Sequence, residues 1–214
     1  MSAIHDLLKP YKAFFQNYGY SLKGGMFYKI ENDIAFCFSF SNISLIYCDY
    51  YFIPLYIPAP CRYFTYGNRL EALTRLAVRP FVKSECFEDW MNDVTKVAAN
   101  EIIPFFDKIS SPEKLISLIN RNDPSFDHFT GCSRCNKGIL CIYTNLYLER
   151  YRDAEKNYSD IYEYLQNSND ARWTDIEEKE LNEIKSTLMA KEKEDISEYL
   201  KSTVINTAKA CRFA

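Results

Sequence analysis

The chain has 214 residues, of which 47% are apolar, so an intrinsically disordered protein is excluded and one sizeable hydrophobic core is expected. The formal net charge of -3 disfavours nucleic acid as a partner, because phosphates are bound mainly through lysine and arginine. The sequence has no apolar run long enough to span a bilayer and no signal-peptide pattern, so we expect a cytoplasmic protein that does not bind membranes.

The first predicted element is an amphipathic helix over Ile4 to Tyr18. Its apolar residues recur at intervals of three and four, although Pro10 interrupts the pattern. Gly19 is the expected end of this helix. The pair Gly24-Gly25 predicts a tight turn with positive φ before the next element.

An unusually aromatic block from Met26 to Pro60 predicts an antiparallel sheet. From Ile34 to Ser41, large and small residues alternate with the period of a strand. The bulky positions are Ile34, Phe36, Phe38 and Phe40. Because the small positions would let another element approach closely, we expect this strand to be central and covered on both faces.

Turn-forming residues surround that strand. Glu31-Asn32-Asp33 and Ser41-Asn42 predict two turns of an antiparallel meander. Nearby prolines lack the amide hydrogen that a ladder needs, so Leu55-Tyr56-Ile57 should lie at an edge or leave the sheet.

Helices follow the sheet. A short helix is predicted within Tyr63 to Val82, and a longer one from about Glu85 to Phe105, capped by Ser84 and bent or ended by Pro104. Ser111-Pro112 combines a cap with proline at the first helical position, which predicts a helix to about Asn120.

The segment from Asn122 to Gly138 is rich in helix breakers and is the predicted domain boundary. We therefore divide the chain into an α+β domain (1–122), a loop with a CxxC motif (123–138) and an all-helical extension (139–214). The extension should contain helices over Ile139 to Glu149, Arg152 to Gln166 and Thr174 to Ala210, the last opened by a capping box of Thr174 and Glu177.

One group of residues has the chemistry of a metal site. Its spacing, H-x3-C-x2-C-x5-C, offers four ligands of the type that tetrahedral zinc uses. These are His128, Cys132, Cys135 and Cys141. The alternatives are loop thiols with one buried cysteine, or a thiol–disulfide exchange site, and no cofactor other than zinc is indicated. The other cysteines are scattered through helix and strand patterns, so we expect most to be reduced and packed.

Catalytic motifs are missing. The sequence has no phosphate-binding glycine loop, no nucleophile elbow and no H-E-x-x-H, and its two histidines, His5 and His128, lie in no catalytic motif. Catalytic residues therefore stay unknown from the sequence.

The N-terminal order of elements, with LLKPYKAFFQNYGYSLKGGMFYKI, the aromatic strands and NEIIPFFDKISSPEKLISLI, resembles small uncharacterised bacterial families of unknown function. The resemblance covers roughly the first 120 residues. Some such families lie near toxin systems and are suspected immunity proteins, so it implies a cytosolic, non-catalytic binding role. The stretch LYLERYRDAEKNYSDIYEYL is similar to one tetratricopeptide-like hairpin, but no second copy follows, so we expect a plain helical extension.

Charge is unevenly distributed along the chain. The segment from Cys61 to Lys83 is basic, with Arg62, Arg69, Arg75, Arg79 and Lys83. The last helix is acidic and carries a narrow apolar stripe that includes Leu181, Ile184 and Leu188. We expect this helix to dock within the chain, with a dimer as the alternative.

The leading hypothesis is therefore an α+β protein-interaction module, an immunity-like inhibitor among others, that binds another protein or itself. The alternatives are an enzyme whose site is assembled from residues far apart in sequence, or a small zinc-stabilised domain. Polar side chains converging around His128 or the basic segment would favour the enzyme, and an exposed aromatic patch would favour a binding role.

Overall fold

The computed structural model describes residues 3–42, 45–58, 66–70, 79–82, 86–124, 126, 134–167 and 179–213. Within them the predicted α+β class is confirmed: a five-stranded antiparallel sheet packs with helices and is followed by a helical C-terminal region. No helix of these ranges is both long and apolar enough to cross a bilayer.

The sheet is a meander in which each strand pairs with its neighbours in sequence. The strands are β1 (Ser21–Lys23), β2 (Met26–Glu31), β3 (Ile34–Asn42), β4 (Ile46–Pro54) and β5 (Gly67–Arg69). The predicted aromatic strand is β3, and it is central, as expected. Beyond Pro54 the chain leaves the sheet at Leu55, which confirms the proline argument.

The structure confirms some of the turns that were predicted from the sequence and contradicts another. Asn32 and Asp33 both have positive φ (47° and 61°) and form the two-residue turn between β2 and β3. Of the pair Gly24-Gly25, Gly24 has the predicted positive φ, and Gly19, the expected end of the first helix, also has positive φ. The turn predicted at Ser41-Asn42 is wrong, because both residues still pair with β4 in the ladder.

The phenylalanine face of β3 is the centre of the hydrophobic core. Phe36, Phe38 and Phe40 are at most 4% exposed. Phe38 lies among the rings of Phe15, Tyr20 and Phe106, with centroids 5.3, 5.5 and 5.8 Å away. The predicted orientation of the strand is therefore confirmed.

The C-terminus covers part of the second face of the sheet. Cys211 and Phe213 pack against Ala35, Cys37 and Tyr51. The Phe213 ring stacks on Tyr28 of β2 at 5.0 Å between centroids. Both faces of β3 are thus covered at this end of the strand, as its small residues predict.

The N-terminal helical pattern is divided by Pro10. The structure has α1 (Ala3–Leu8), a 3-10 turn (Lys9–Tyr11) and α2 (Lys12–Gln16) where one helix was predicted. Proline has no amide hydrogen for the helical ladder and its ring crowds the preceding turn, which explains the interruption.

The helices after the sheet match most of their sequence signals. They are α3 (Phe87–Val97), a π-helical turn (Ala98–Ile102), α4 (Ile103–Lys108) and α5 (Pro112–Asn120). The π-helical turn precedes Pro104, whose missing amide disturbs the α-helical ladder. The Ser111 hydroxyl accepts a hydrogen bond from the Lys114 amide, as a cap should. The short helix predicted around residues 71–78 and the Ser84 cap lie outside the described residues.

The C-terminal region contains α6 (Arg134–Tyr147), α7 (Tyr151–Gln166), a helical segment over residues 179–189 and α8 (Lys193–Ala210). The single long helix predicted from Thr174 is wrong, because the chain turns at residues 190–192. Lys191 to Asp195 are all charged and exposed, so the apolar stripe has no member there to hold a continuous helix against the core. The capping box at Thr174 lies outside the described residues.

The predicted docking of the last helical segment within the chain is confirmed. Leu181, Ile184 and Leu188 are at most 2% exposed and belong to the same core as the phenylalanine face. Tyr56, which follows the sheet, stacks on Tyr147 of α6 at 4.4 Å between centroids. The sheet and the C-terminal helices therefore share one core.

The loop predicted over 123–138 ends earlier than expected, because α6 already begins at Arg134. Gly138, taken from the sequence as a breaker, lies inside this helix. A Cβ there would overlap Cγ1 and Cδ1 of Ile161, so glycine is what lets α6 and α7 pack so closely.

Candidate functional site

The predicted zinc ligands are divided between described and undescribed residues. His128 and Cys132 lie outside the described residues. Cys135 and Cys141 both lie on α6, six positions apart and buried. Six residues of helix rise about 9 Å, whereas two sulfurs on one tetrahedral zinc are roughly 4 Å apart. An intact α6 therefore does not bring these two thiols to one metal, and the four-ligand zinc site stays a prediction.

The two thiols also sit in apolar surroundings. Burial raises the pKa of Cys141 to about 12, and Lys137 only partly opposes this shift. Because the thiolate is the form that exchanges disulfides, burial disfavours that reaction at Cys141. All six cysteines that the structure describes are free thiols, and five of them are buried.

A groove lies between α7 and the helical segment 179–189. Its volume is about 430 Å³, and it is lined by Glu155, Tyr158, Ser159, Lys185, Met189 and Ala190. The Tyr158 ring forms its aromatic wall: Tyr162 stacks on it at 5.9 Å, and the Lys185 ammonium lies 4.9 Å from its centroid. We call this feature the α7 groove.

Exposed aromatic residues are spread over several elements. Tyr162 is 38% exposed beside the α7 groove, while Tyr164, two positions on, projects elsewhere and lies under Arg134. Tyr18 is exposed in the turn after α2, and Tyr199 is exposed on α8. The described residues thus combine one aromatic groove with scattered tyrosines, instead of the broad patch considered from the sequence.

A second feature is a buried carboxylate on the second face of the sheet. Asp49 of β4 is only 1% exposed. It pairs in register with Ser39 of β3 and with Arg69 of β5. The Arg69 Nε lies 3.3 Å from Asp49 Oδ1, but that oxygen accepts no hydrogen bond.

The arginine connects the carboxylate with the surface. Its side chain is half exposed, and its guanidinium lies 4.5 Å from the centroid of the Tyr47 ring. Ser41 pairs in register with Tyr47 and is partly exposed. We call this group the polar patch: Ser39, Ser41, Tyr47, Asp49 and Arg69.

The electrostatics of the polar patch are set by burial. Burial raises the pKa of Asp49 above its ordinary value, and the charge of Arg69 opposes the rise without cancelling it. A carboxylate that is desolvated and beside one specific cation is typical of functional sites, although structural ion pairs share these properties.

The sequence reasoning missed Asp49. The residue is an isolated charge within the apolar run of β4, YCDYYFIP, which was a signal that could have marked it. Arg69 was counted in the basic segment and expected to meet the acidic helix, but the structure pairs it with Asp49. Arg62, Arg75 and Lys83 lie outside the described residues, so their partners stay a prediction.

Replacing Asp49 with asparagine should change how stability depends on pH. The pKa of Asp49 is higher in the folded chain than in the unfolded chain, so protonation of Asp49 favours folding at low pH. This contribution to the free energy of unfolding is lost as the pH rises from about 4 through the folded pKa. The stability of Asp49→Asn relative to the native chain should therefore increase between about pH 4 and pH 7. Urea unfolding at the two pH values measures this.

Asp6→Asn is a control with the opposite sign. Lys9 lowers the pKa of Asp6 through a hydrogen bond and its charge, so this variant should lose relative stability as the pH rises. A pH-independent difference between Asp49→Asn and the native chain would contradict the buried-carboxylate interpretation.

Comparison with known proteins found no matching family model, no similar curated protein and no similar solved structure.

Proposed function

We propose that this chain is a non-catalytic protein-interaction module that binds a segment of another protein in the α7 groove. The observation that carries the proposal is the aromatic wall of that groove, formed by Tyr158, with the exposed ring of Tyr162 stacked on it beside the groove. Tyrosine contributes a large contact area at low conformational cost and is enriched where proteins bind one another. The immunity-like role implied by the sequence resemblance is one form of such binding.

The chemistry of the groove defines the partner segment. Met189 and Tyr158 offer an apolar surface, and the Lys185 ammonium makes a cation–π contact with the Tyr158 ring. Glu155 is exposed and forms no ion pair among the described residues. A complementary segment therefore presents an apolar side chain to Met189 and Tyr158, and a lysine or arginine to Glu155.

Photo-crosslinking tests this proposal. A benzophenone amino acid placed at Ser159, in the groove, should crosslink one protein in the native cells. The same reagent at Lys201, an exposed position of α8, should not crosslink it. The crosslinked peptide of the partner should contain a lysine or arginine near an apolar residue.

Substitutions in the groove should weaken the same interaction. We expect Tyr162→Ala to lower the affinity for the captured partner at least tenfold, because its exposed ring lies beside the groove and stacks on Tyr158. Glu155→Lys should act similarly through charge reversal. Tyr18→Ala is a matched control, because Tyr18 is also 38% exposed but lies in the turn after α2. Retention of the partner by both groove variants, or the absence of any groove-specific crosslink, would refute the proposal.

A further inference from the structure

Two buried thiols from distant parts of the chain lie in one cluster on the second face of the sheet. Cys37 is on β3, and Cys211 directly follows α8, 174 positions later in the numbering. They are 0% and 3% exposed, and both belong to the small cluster that covers this face. Two other buried thiols, Cys48 and Cys135, belong to the main core instead.

The strand register places Cys37 beneath the segment that contains Cys211. In the ladder Cys37 lies between Tyr28 of β2 and Tyr51 of β4. Tyr28 holds the segment after α8, because its ring stacks on Phe213 at 5.0 Å and its hydroxyl donates to the Phe213 carbonyl at 3.3 Å. Cys211 precedes Phe213 by two residues, so the contacts of Tyr28 bring it to the adjacent position over β3.

The two thiols are close enough to influence each other electrostatically. Burial raises the pKa of Cys37 well above its ordinary value, and the neighbouring Cys211 raises it further. A hydrogen bond from Tyr51 acts in the opposite direction, because it stabilises the thiolate. Since the thiolate is the reactive form, Cys37 reacts slowly with reagents from solvent while the cluster is closed.

The turn after Cys211 is held in an unfavourable backbone conformation. Arg212 has φ of 59°, in the left-handed region that is costly for a residue with a Cβ. The turn is closed by the Cys211 amide, which donates to the Thr207 carbonyl, and by the Phe213 amide, which donates to the Ala208 carbonyl, both at 2.9 Å. This end of α8 should therefore open at lower cost than the interior of the sheet, and opening exposes Cys211 to a small oxidant.

We infer that Cys37 and Cys211 form a redox latch, in which hydrogen peroxide converts the two thiols into a disulfide that fixes the end of α8 to β3. The Cys211 thiolate attacks one peroxide oxygen, the O–O bond breaks and hydroxide leaves, which gives a sulfenic acid. When the turn closes, the Cys37 sulfur attacks the Cys211 sulfur. The S–S bond forms, the S–O bond breaks, and the hydroxide takes the Cys37 proton and leaves as water.

The electrons and protons of this reaction balance. Two thiols lose two electrons and two protons, and one peroxide becomes two molecules of water. The bond closes a long loop of the chain, which is the kind of cross-link expected to stabilise a fold most. A small thiol reverses it by exchange. The latch is separate from the protein partner of the α7 groove, because the two share no residue.

Oxidation of the full chain with hydrogen peroxide tests the inference, with Cys48 as the internal comparison. Cys48 is also 0% exposed and lies on the adjacent strand β4. The remaining thiols are alkylated at intervals and identified by mass spectrometry after digestion with chymotrypsin, which cleaves beside the aromatic residues between Cys37 and Cys48. We expect Cys37 to be lost at least tenfold faster than Cys48 and to be found in a peptide linked to Cys211. Equal loss of Cys37 and Cys48, or a link from Cys37 to any other cysteine, would overturn the inference.

Two variants assign the reaction to this pair. In Cys211→Ala, the loss of Cys37 should slow at least tenfold, because the thiol that reacts first is missing. Cys86→Ala removes an exposed thiol and is the control, in which the Cys37–Cys211 bond should form as in the native chain. Rapid loss of Cys37 in Cys211→Ala would overturn the inference. Circular dichroism confirms that each variant is folded, and the linked peptide of the native chain decides the case if Cys211→Ala is not.

Amide hydrogen exchange measures what the latch does to the fold. In the oxidised chain the Phe213 amide should exchange at least tenfold more slowly than in the reduced chain, and a reductant should restore the faster exchange. The Arg121 amide, which donates to the Ser117 carbonyl at the end of α5, is the control and should not change. Equal exchange of the Phe213 amide in the two states would show that the bond does not fix the end of α8, and would overturn the latch.

Discussion

Replacing Phe38 with alanine is expected to lower the free energy of unfolding by about 3–5 kcal/mol. The side chain is fully buried, and its ring is surrounded by Phe15 of α2, Tyr20 just before β1, and Phe106 of α4. Those neighbours are themselves held in the core, so they cannot close the cavity that the substitution leaves. Urea unfolding followed by tyrosine and tryptophan fluorescence measures the change.

Tyr18→Ala provides the comparison for Phe38→Ala. Tyr18 is also aromatic but is 38% exposed, so its loss should cost less than about 1 kcal/mol. If Phe38→Ala were equally mild, the assignment of the phenylalanine face to the core would be wrong.

Replacing Gly67 with alanine is expected to lower the free energy of unfolding by about 3 kcal/mol. A Cβ at this position of β5 would overlap the Tyr51 Cβ and lie 2.5 Å from the Tyr50 carbonyl oxygen and 2.9 Å from the Tyr51 Cα. Two of these atoms belong to the backbone of β4, so a simple change of side-chain rotamer cannot relieve the clash. Thermal and urea unfolding measure the loss.

Gly24→Asn is the control for this clash. Gly24 has a left-handed backbone conformation, with φ of 62°, but a Cβ there would meet nothing within 4 Å. Asparagine tolerates that conformation, so the change should cost less than about 1 kcal/mol. Equal stability of Gly67→Ala and Gly24→Asn would contradict the close packing of β5 on β4.

Local patterns explain why much of the sheet and several helices could be predicted. The alternation from Ile34 to Ser41 depends only on a strand's period, and the start of α5 depends on the Ser111 hydroxyl and Pro112 within one turn of the helix. Both signals act over a few residues, so they could be identified without knowing the tertiary structure.

Elements that depend on distant contacts could not be predicted in this way. Gly67-Asn68 has the composition of a turn, and it becomes β5 only because it pairs with Tyr50 and Tyr51 of β4. The turn at residues 190–192 contains neither glycine nor proline, and it follows from where the apolar residues on either side meet the core.

The candidate sites were harder to predict for the same reason. The polar patch needs β3, β4 and β5 to be in register before Ser39, Asp49 and Arg69 become neighbours. The α7 groove needs Tyr158 and Lys185, 27 positions apart in the numbering, to meet across two helices. The sequence supplied the residue types but not these pairings.

The C-terminal cover of the sheet has a consequence for the order of folding. The Tyr28 hydroxyl donates a hydrogen bond to the Phe213 carbonyl across 185 positions of sequence. Contacts of such separation form late, because the entropy of closing the loop is lost before the contact stabilises anything. During synthesis, β2, β3 and β4 emerge long before Phe213. The face of the sheet that Phe213 covers is therefore exposed to solvent until the C-terminus is made. We therefore expect this face of the sheet to be prone to aggregation in the folding chain until the last helix covers it.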